Sequence, residues 1–585
     1  MNWLRRKPRW ASRPQGQKCD QLSSVYDNCV LEESTCEYDK PNILNGGARP
    51  ETKEDPKRRI EEKKHVNVDE SSASVSEIQG KSIGTPVCEW VGKLATPPEK
   101  PEDNAGDKMV LCSNGSPAEP RRESDSSTAS CEPYRREPFD RREIFQVDFY
   151  LEDVFPFLFP FYRPRPLQGG RSWILESAMS DQLVRMIITC QASHFFSLLR
   201  GTTRDEDQKR VAKIIDFTFE IVTQGLRDFV DMGIKHLRHA IQILVAMLQV
   251  QRFEISISIF HNCQQHLDAA MCIFKGILGS TSHGLKKPHS SFVEIMHGLE
   301  VETRKEPGWG LPFKSAEQTG FRFSSALLIF DDIISSTTLQ EEPRLFQYLP
   351  YLLGCESELA GQPKPLINLA DIIGCQNFVM LKIADISALN AWKHQCKRAE
   401  YTDANTMAQR AAPIYEALED YLAKLERNQE NLISTQNIQQ DIFITDPNEQ
   451  SPALSNQVIF TTRVWAHAAA LYLSLITAEW KSTNIETHYH VNRIIDILAR
   501  DISPPARLRA MAWPIYVAGC LARPEEENSL YGIIESLQPP SLFSTVYKAL
   551  DIMENVWGTR GERDASSRDL AACFKSLSDE LLLLV

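Results

Sequence analysis

The chain has 585 residues, of which 42% are hydrophobic and 24% charged, and its formal net charge is −13 at pH 7. This composition is ordinary for a soluble globular protein, and the acidic balance excludes a chain that binds nucleic acid through its bulk. No uninterrupted apolar run approaches the ~20 residues that a membrane span requires, so we expect no membrane contact.

The first two segments differ from the rest of the chain in charge and composition. The first segment, residues 1–40, begins with residues 1–18, which contain six Lys or Arg and no acid and so reverse the overall charge locally. Residues 41–142 are rich in charge, Pro and Ser and lack hydrophobic periodicity, so we expect a disordered linker. The basic runs RRKPR and KRRIEEKK fit either nuclear-import signals or plain solvated charge, and we expect a nuclear location.

From residue 143 onward the sequence has the periodicity of helices. Apolar residues recur at steps of three and four along one face of residues 211–229, and residues 237–248 repeat the pattern. Similar stripes occur at 257–278, 323–338, 366–390, 459–478, 489–500 and 544–557. Together with the first two segments, these stripes predict an all-α fold, in which a helical domain over residues 143–585 follows a long disordered N-terminal region.

Several stretches of this helical region occur together in one protein family. They are DVFPFLFPFYRPRPLQGGRSWILE (153–176), LRHAIQILVAMLQVQRFEISISIFHNCQQHLDAAMCIF (237–274), ALLIFDDIISSTTLQEEPRL (326–345), ISPPARLRAMAWPIYVAGCLARPEEENSLYGIIESL (502–537) and FSTVYKALDIMENVW (543–557). The region resembles the fungal-specific transcription factor domain, the regulatory region of fungal zinc-cluster transcription factors. The resemblance implies a scaffold that receives effectors or coregulators, and it does not point to a reaction.

Residues 513–520 within this region are predicted to form a core helix. Pro514 fits the first turn of a helix, where its missing N–H group would be unpaired anyway. We expect Trp513 and the apolar residues after Pro514 to be buried. Gly519 would let a neighbouring helix approach closely, because it has no Cβ.

Residues 9–41 resemble the DNA-binding module of the same family. In that module six cysteine thiolates hold two zinc ions, with the spacing C-x2-C-x6-C-x6-C-x2-C-x6-C and bridging thiolates at the first and fourth positions. Anchored on KCD, the six positions hold Arg9, Ser12, Cys19, Tyr26, Cys29 and Cys36. The spacing is intact, but three ligands are replaced, including both bridging ones. Because no zinc ion can gather four thiolates from one copy, we expect zinc to be lost or substoichiometric.

The DNA-reading segment of this module is altered too. The family places a basic helix between the second and third cysteines, and here that segment keeps Arg13 and Lys18 as candidate DNA contacts. Gln15 and Gly16 stand where base-reading cations are expected. Since small zinc modules depend on metal for their folding, we expect sequence-specific DNA binding to be impaired or indirect.

Other interpretations of this segment stay open. The three remaining cysteines, Cys19, Cys29 and Cys36, could form one weak zinc site with water or Asp20 as a further ligand. The chain could also be an intact zinc-dependent transcription factor with unusual ligands. The blandest alternative is a tail that carries unrelated cysteines by chance.

Asp331 and Asp332 in FDDIISS resemble the DDxxD motif with which helical prenyl-diphosphate enzymes bind magnesium. The last position of that motif is Ser335 here, and the sequence contains no second metal motif. We therefore favour a helix surface or cap over a magnesium-dependent enzyme.

Two groups of histidines are candidate metal sites. In FHNCQQH, only Cys263 and His266 share a helix face, so ordinary packing is favoured over a site that includes His261. In THYH, His488 and His490 would point apart on a helix. The sequence as a whole predicts a transcription regulator, not an enzyme, that acts through other transcription regulators, as a homodimer or a heterodimer, unless the gene is decaying.

Overall fold

A computed structural model describes residues 139–585 except for the following gaps: 165–169, 202–208, 210–236 (where positions 213, 217, 220, 224 and 227 alone are described), 258, 281–287, 300–314, 355–364, 400–403, 436–451, 479–484, 560–569, 576–580 and 582. The predicted zinc module at 1–40 and the linker up to residue 138 lie outside the described residues, and so do the apolar positions that define the stripe at 211–229.

All regular elements in the described part of the chain are helical, which confirms the all-α prediction there. The helices are α1 (Arg141–Phe149), α2 (Phe155–Leu158), α3 (Ser172–Ser180), α4 (Gln182–Arg200), α5 (Leu237–Ser256), α6 (Cys263–Gly279), α7 (Pro288–Gly298), α8 (Ala316–Leu339), α9 (Leu349–Leu352), α10 (Ala370–Ile373), α11 (Asn377–Arg398), α12 (Ala404–Thr435), α13 (Pro452–Ala478), α14 (Ile485–Arg500), α15 (Ala512–Leu521), α16 (Pro524–Glu535), α17 (Ser544–Gly558) and α18 (Leu570–Lys575). A π-helical turn at Tyr150–Val154 joins α1 to α2, and two 3₁₀ turns lie at Pro505–Met511 and Pro540–Leu542. Five of the predicted stripes lie inside single helices, whereas 257–278 and 366–390 are interrupted just before α6 and α11.

Local sequence signals determine where two of these helices begin. At α1, the Asp140 side chain accepts a hydrogen bond from the backbone N–H of Glu143 at 2.7 Å, and the Glu143 carboxylate accepts one from the backbone of Asp140. Ser315 and Gln318 form the same reciprocal pair at the start of α8, at 3.1 and 3.0 Å. Each pair satisfies two N–H groups that a helix start would otherwise leave unpaired.

Helix α8 is the central element of the first half of the domain. Of its 24 residues, 20 are buried, including Ser, Thr and Asp side chains. It packs against α3, α5, α6, α11 and α18. Phe323 on α8 contacts Phe155 and Tyr162 at ring-centroid distances of 5.7 and 4.9 Å, so the aromatic stretch 153–176 is anchored on this helix.

Helix α13 has the same central role in the second half, where it packs against α11, α12, α14 and α15. Its segment Leu454–Thr477 is long and apolar enough to cross a membrane by length and composition, but 78% of its apolar window is buried inside the domain, as in the core helix of a soluble protein. Trp465 of α13 stacks on Trp513 of α15, with ring centroids 5.4 Å apart. The Trp513 Nε1–H donates to Thr337 Oγ1 of α8 at 3.0 Å, so the two halves share one core.

The helix predicted at 513–520 is present as α15, and it lies in the core. Pro514 is in its first turn, and every residue of the helix is buried. A Cβ on Gly519 would lie 2.4 Å from Cε of Met553 on α17, which confirms the predicted close approach. The Gly519 carbonyl also accepts a hydrogen bond from Trp557 Nε1 at 2.8 Å.

Asn377 at the start of α11 holds three separate backbone groups. Its side-chain oxygen accepts from the N–H of Leu369 at 2.8 Å. Its amide nitrogen donates to the carbonyls of Leu353 and Ile367, each at 2.7 Å. The side chain is fully buried, so these bonds replace water for all three groups.

Candidate functional site: a buried charged centre beside α8

The two aspartates of FDDIISS lie in the interior of α8. Asp331 is 0% exposed and Asp332 is 1% exposed, so the expectation of a helix surface or cap is wrong. The helix is covered on all sides, and two carboxylates can be accommodated there because each has its own partners from elsewhere in the chain. The pair is therefore part of the core, unlike the exposed carboxylates that a magnesium–diphosphate site requires.

Asp331 pairs with an arginine of the neighbouring helix α5. Arg252 Nη2 donates to Asp331 Oδ1, and the guanidinium is 10% exposed. Asp331 Oδ2 is buried without a hydrogen-bond partner among the described residues. Burial raises the pKa of Asp331 to about 6, although Arg252 opposes the shift.

Asp332 closes the turn that follows α8. Its Oδ1 accepts from the backbone N–H of Arg344 at 3.1 Å, and its Oδ2 accepts from that of Leu345 at 2.8 Å. The Arg344 side chain in turn pairs with Asp268 on α6. Burial raises the pKa of Asp332 to about 6, with these backbone donors acting in the opposite direction.

A small cavity of about 40 Å³ opens beside this centre. Arg252 of α5 and Arg509 of the 3₁₀ turn Pro505–Met511 both line it. Apolar side chains from α5, α8 and α10 form half of the remaining wall: Ile255, Leu327, Phe330, Ile372 and Ile373. The other half consists of Leu158, Phe159, Pro160, Ala510 and Val585, the last residue of the chain.

Arg509 is a buried cation with only neutral partners among the described residues. It is 7% exposed, its Nη1 donates to the carbonyl of Leu542, and its guanidinium lies 4.9 Å from the ring centroid of Phe157. Burial, and then the nearby charge of Arg252, lowers the pKa of Arg509 to about 10. The group is still charged at neutral pH, so its charge is retained inside the domain at an energetic cost.

The FHNCQQH residues lie at the start of α6. Cys263 and His266 are both buried, as expected for packing. His266 Nε2 lies 3.4 Å from Glu254 Oε2 of α5, and Asn262 donates to the other Glu254 oxygen at 2.8 Å. In the described part of the chain, no three His, Cys, Asp or Glu side chains are grouped as a metal site would require.

His488 and His490 point to different partners, as predicted. Arg523 Nε donates to His488 Nε2 at 2.7 Å, which leaves Nδ1 as the protonated nitrogen, 3.3 Å from Glu526 Oε2. His490 Nδ1 lies 2.9 Å from Nδ1 of His467 on α13, and both rings are buried. Sequence reasoning missed this pair because His467 is on another helix and carries no local motif.

The candidate metal ligands Cys19, Cys29 and Cys36 and the candidate DNA contacts Arg13 and Lys18 lie outside the described residues. Their roles stay predictions. The charged centre beside α8 could not be predicted from local patterns, since Arg252 and Asp331 are 79 residues apart. The one local signal is Arg252 itself, which lies between the buried residues Gln251 and Phe253 of α5.

Comparison with known proteins gives this fold its family. Residues 145–584 match the fungal-specific transcription factor domain. The transcription factor dibT of Pestalotiopsis microspora is 26% identical over 634 aligned positions, which cover 98% of each chain. Pestheic acid cluster transcriptional regulator 3 of Pestalotiopsis fici is 22% identical over 70% of each chain. The trichothecene biosynthesis transcription regulator TRI10 of Fusarium sporotrichioides is 23% identical over 72% of this chain and 93% of its own.

No solved structure matches the chain. The family match spans about three quarters of the sequence, and each of these relatives is a transcription factor or regulator. The chain therefore belongs to the fungal-specific transcription factor domain family, and it is a transcription regulator rather than an enzyme.

Proposed function

We propose that this regulator acts in the nucleus and that its N-terminal DNA-binding module is impaired. Its helical domain regulates transcription through partner regulators. The observation that carries the proposal is the register at positions 9, 12, 19, 26, 29 and 36, where three cysteines remain at six ligand positions. The match to dibT over 98% of both chains supports a homologous N-terminal segment. The extensive buried core of the helical domain supports an intact regulatory part.

The proposal follows from the coordination needs of zinc. Two tetrahedral zinc ions need eight ligand positions, which six thiolates fill only when two of them bridge. Arg9 and Tyr26 occupy the bridging positions, and Arg9 adds positive charge where the metals would lie. Without metal a small zinc module loses its folding energy, and without the fold it cannot place Arg13 and Lys18 against base edges.

Zinc content of the purified full-length chain tests the first part. We expect no more than a substoichiometric amount by elemental analysis. The triple variant Arg9→Cys, Ser12→Cys, Tyr26→Cys is the matched control, because it restores all six thiolates and should take up about two zinc ions. Two zinc ions in the unaltered chain would show that the ligand argument is wrong, and one would point to a site built from Cys19, Cys29 and Cys36.

Chromatin occupancy tests the second part. We expect the chain to occupy promoters only when an intact zinc-cluster partner is present. The chain would either form a heterodimer with that partner or be recruited by it as a homodimer. Occupancy that persists in a strain without other zinc-cluster regulators would contradict the proposal.

We further propose that its targets are the genes of a biosynthetic cluster. The support is that relatives carry the names pestheic acid cluster transcriptional regulator and trichothecene biosynthesis transcription regulator. In a deletion strain, transcript levels should change for a contiguous block of genes. Changes scattered evenly over the genome would contradict this assignment.

A further inference from the structure

We propose that His467 of α13 and His490 of α14 form a pH switch between the two helices. The switch is closed while both imidazoles are neutral, and it opens when they take up protons. The proposed function concerns the N-terminal module and the partners of the chain. This inference goes beyond it, because it gives the helical domain a means of changing its conformation with pH.

The two rings meet through like atoms in a buried interface. Nδ1 of His467 lies 2.9 Å from Nδ1 of His490, and the two residues are 1% and 3% exposed. At this distance one Nδ1 must carry a proton and the other must offer its lone pair, because two bare nitrogens or two N–H groups would repel each other. The closed contact therefore requires one definite arrangement of protons.

The outer nitrogen of His490 determines which ring is the donor. Nε2 of His490 lies 3.9 Å from Oε1 of Glu419 on α12, so the carboxylate favours a proton on this nitrogen. A neutral imidazole carries only one proton, and Nδ1 of His490 is then the acceptor. His467 donates from its own Nδ1, which leaves its Nε2 without a proton.

Neither of the two bare nitrogens can take up a proton while the contact is closed. A proton on Nδ1 of His490 would place two N–H groups head to head. Nε2 of His467 is buried and has no hydrogen-bond partner among the described residues, and Arg463 lies one helical turn earlier on α13. A proton there would bury a cation without a partner. Either proton therefore favours a state in which α14 has moved away and water reaches both rings.

The nearby charges act on the pair in both directions, and burial is the largest effect. Burial, and then the charges of His490, Arg463 and Arg493, lower the pKa of His467 well below its usual value. Burial also lowers the pKa of His490, with Glu486 acting in the opposite direction. Both rings are thus neutral in the closed state at neutral pH, as the contact requires.

Other charged groups on the elements around α13 and α14 have partners of their own. Helix α15 contains no charged residue, and the two arginines of the 3₁₀ turn Pro505–Met511 face aromatic rings. The pairs are Glu426 of α12 with Arg463 and Arg493, Lys382 of α11 with Asp385, and Arg523 and Glu526 at the start of α16 with His488.

Acid opens the switch because the released histidines bind protons more tightly than the closed pair. In the open state each ring has its ordinary pKa of about 6.5. The closed contact is therefore fully stable above this pH, and its stability is lost as the pH falls below it. From pH 7.5 to pH 5.5 each histidine raises the opening constant about tenfold, so the pair raises it about 100-fold.

Amide hydrogen exchange of the purified full-length chain, measured by mass spectrometry at pH 7.5 and 5.5, reports the opening of α14. After correction for intrinsic exchange, the opening constant of α14 peptides should rise about 100-fold. Burial raises the pKa of Glu419, so this group opposes the rise. A rise below about tenfold would still overturn the proposal. An equal rise in peptides of α8 would overturn it too, because the change would then be global unfolding.

Asparagine variants locate the proton uptake. Asparagine places an amide oxygen or nitrogen near the position of Nδ1, so His490→Asn keeps an acceptor and His467→Asn keeps a donor. Each single variant should reduce the pH response of α14 about tenfold, and the double variant should reduce it about 100-fold. Contributions of Glu419 and His488 are common to these chains and cancel in the comparison.

His239→Asn is the matched control, because this histidine is exposed on α5. Its pH response should equal that of the unaltered chain. A full response in the single variants, or an equal loss in the control, would refute the assignment to the pair. The single variants and the unaltered chain decide the question even if the double variant does not fold. These measurements need neither zinc, DNA nor a partner, so their failure would leave the proposed function standing.

Discussion

The close approach of Gly519 to Met553 predicts that Gly519→Ala destabilises the unaltered chain. The same substitution should stabilise a chain in which Met553 is replaced by alanine. A Cβ at position 519 would lie 2.4 Å from Cε, 2.5 Å from Sδ and 2.7 Å from Cγ of Met553. These distances are about 1 Å shorter than normal carbon contacts. Met553 is fully buried, so its side chain has to move within a close-packed core.

The magnitude follows from two opposing effects of Gly519→Ala. Overpacking a core costs about 1–3 kcal/mol, and replacing glycine by alanine within a helix gains about 1 kcal/mol. We expect the free energy of unfolding to fall by about 1 kcal/mol in the unaltered chain. In a Met553→Ala background the clash is absent, so the same substitution should raise it by about 1 kcal/mol.

Urea denaturation followed by circular dichroism, on the four chains of the cycle, measures this coupling. Gly532→Ala is the matched control, since a Cβ at that position on α16 meets no atom within 4 Å. It should raise stability in both backgrounds alike. If Gly519→Ala has the same sign with and without Met553, the close approach of α15 and α17 is not what requires glycine there.

Three further predictions concern the buried polar groups. Asp331→Ala leaves the Arg252 charge without its carboxylate and should lower the free energy of unfolding by about 3–5 kcal/mol in urea titrations. The double variant Asp331→Leu, Arg252→Met removes both charges and should recover most of this lost stability. The raised pKa of Asp332 means that the folded chain binds this proton more tightly than the unfolded chain, whose value is near 3.8. Its contribution to stability therefore falls as the pH rises from about 4 to about 6, by up to about 3 kcal/mol, and Asp332→Asn should flatten that slope in unfolding curves. Asn377→Ala leaves three buried backbone groups unpaired and should cost about 3 kcal/mol or more, and a loss below about 1 kcal/mol by the same assay would contradict their burial.

Helix positions could be predicted from the sequence because their signals are local. The stripes at 459–478 and 544–557 lie inside α13 and α17, and the SAEQ stretch at α8 is a readable capping box. Each of these signals lies within a few residues of the feature it predicts. The fold class could therefore be predicted from helix periodicity without any knowledge of the packing.

The buried charged centre could not be predicted in the same way. Asp331 and Asp332 stand in a polar stretch, DDIISSTT, which by pattern alone reads as a helix surface. Their burial depends on partners from distant parts of the chain, such as Arg252, and on the contact of Thr337 with Trp513, which is 176 residues away. A local pattern cannot report whether a helix is covered on every side.

That complete covering of α8 has a mechanical consequence. A helix with 20 of 24 residues buried has no free face on which it could bend or rotate independently. Leu327 and Phe330 line the cavity, whereas Thr337, two to three turns further along, touches the tryptophan stack of the second half. A displacement of α8 at the cavity would therefore also displace Thr337 and its hydrogen bond to Trp513, which couples the two halves of the domain through this helix.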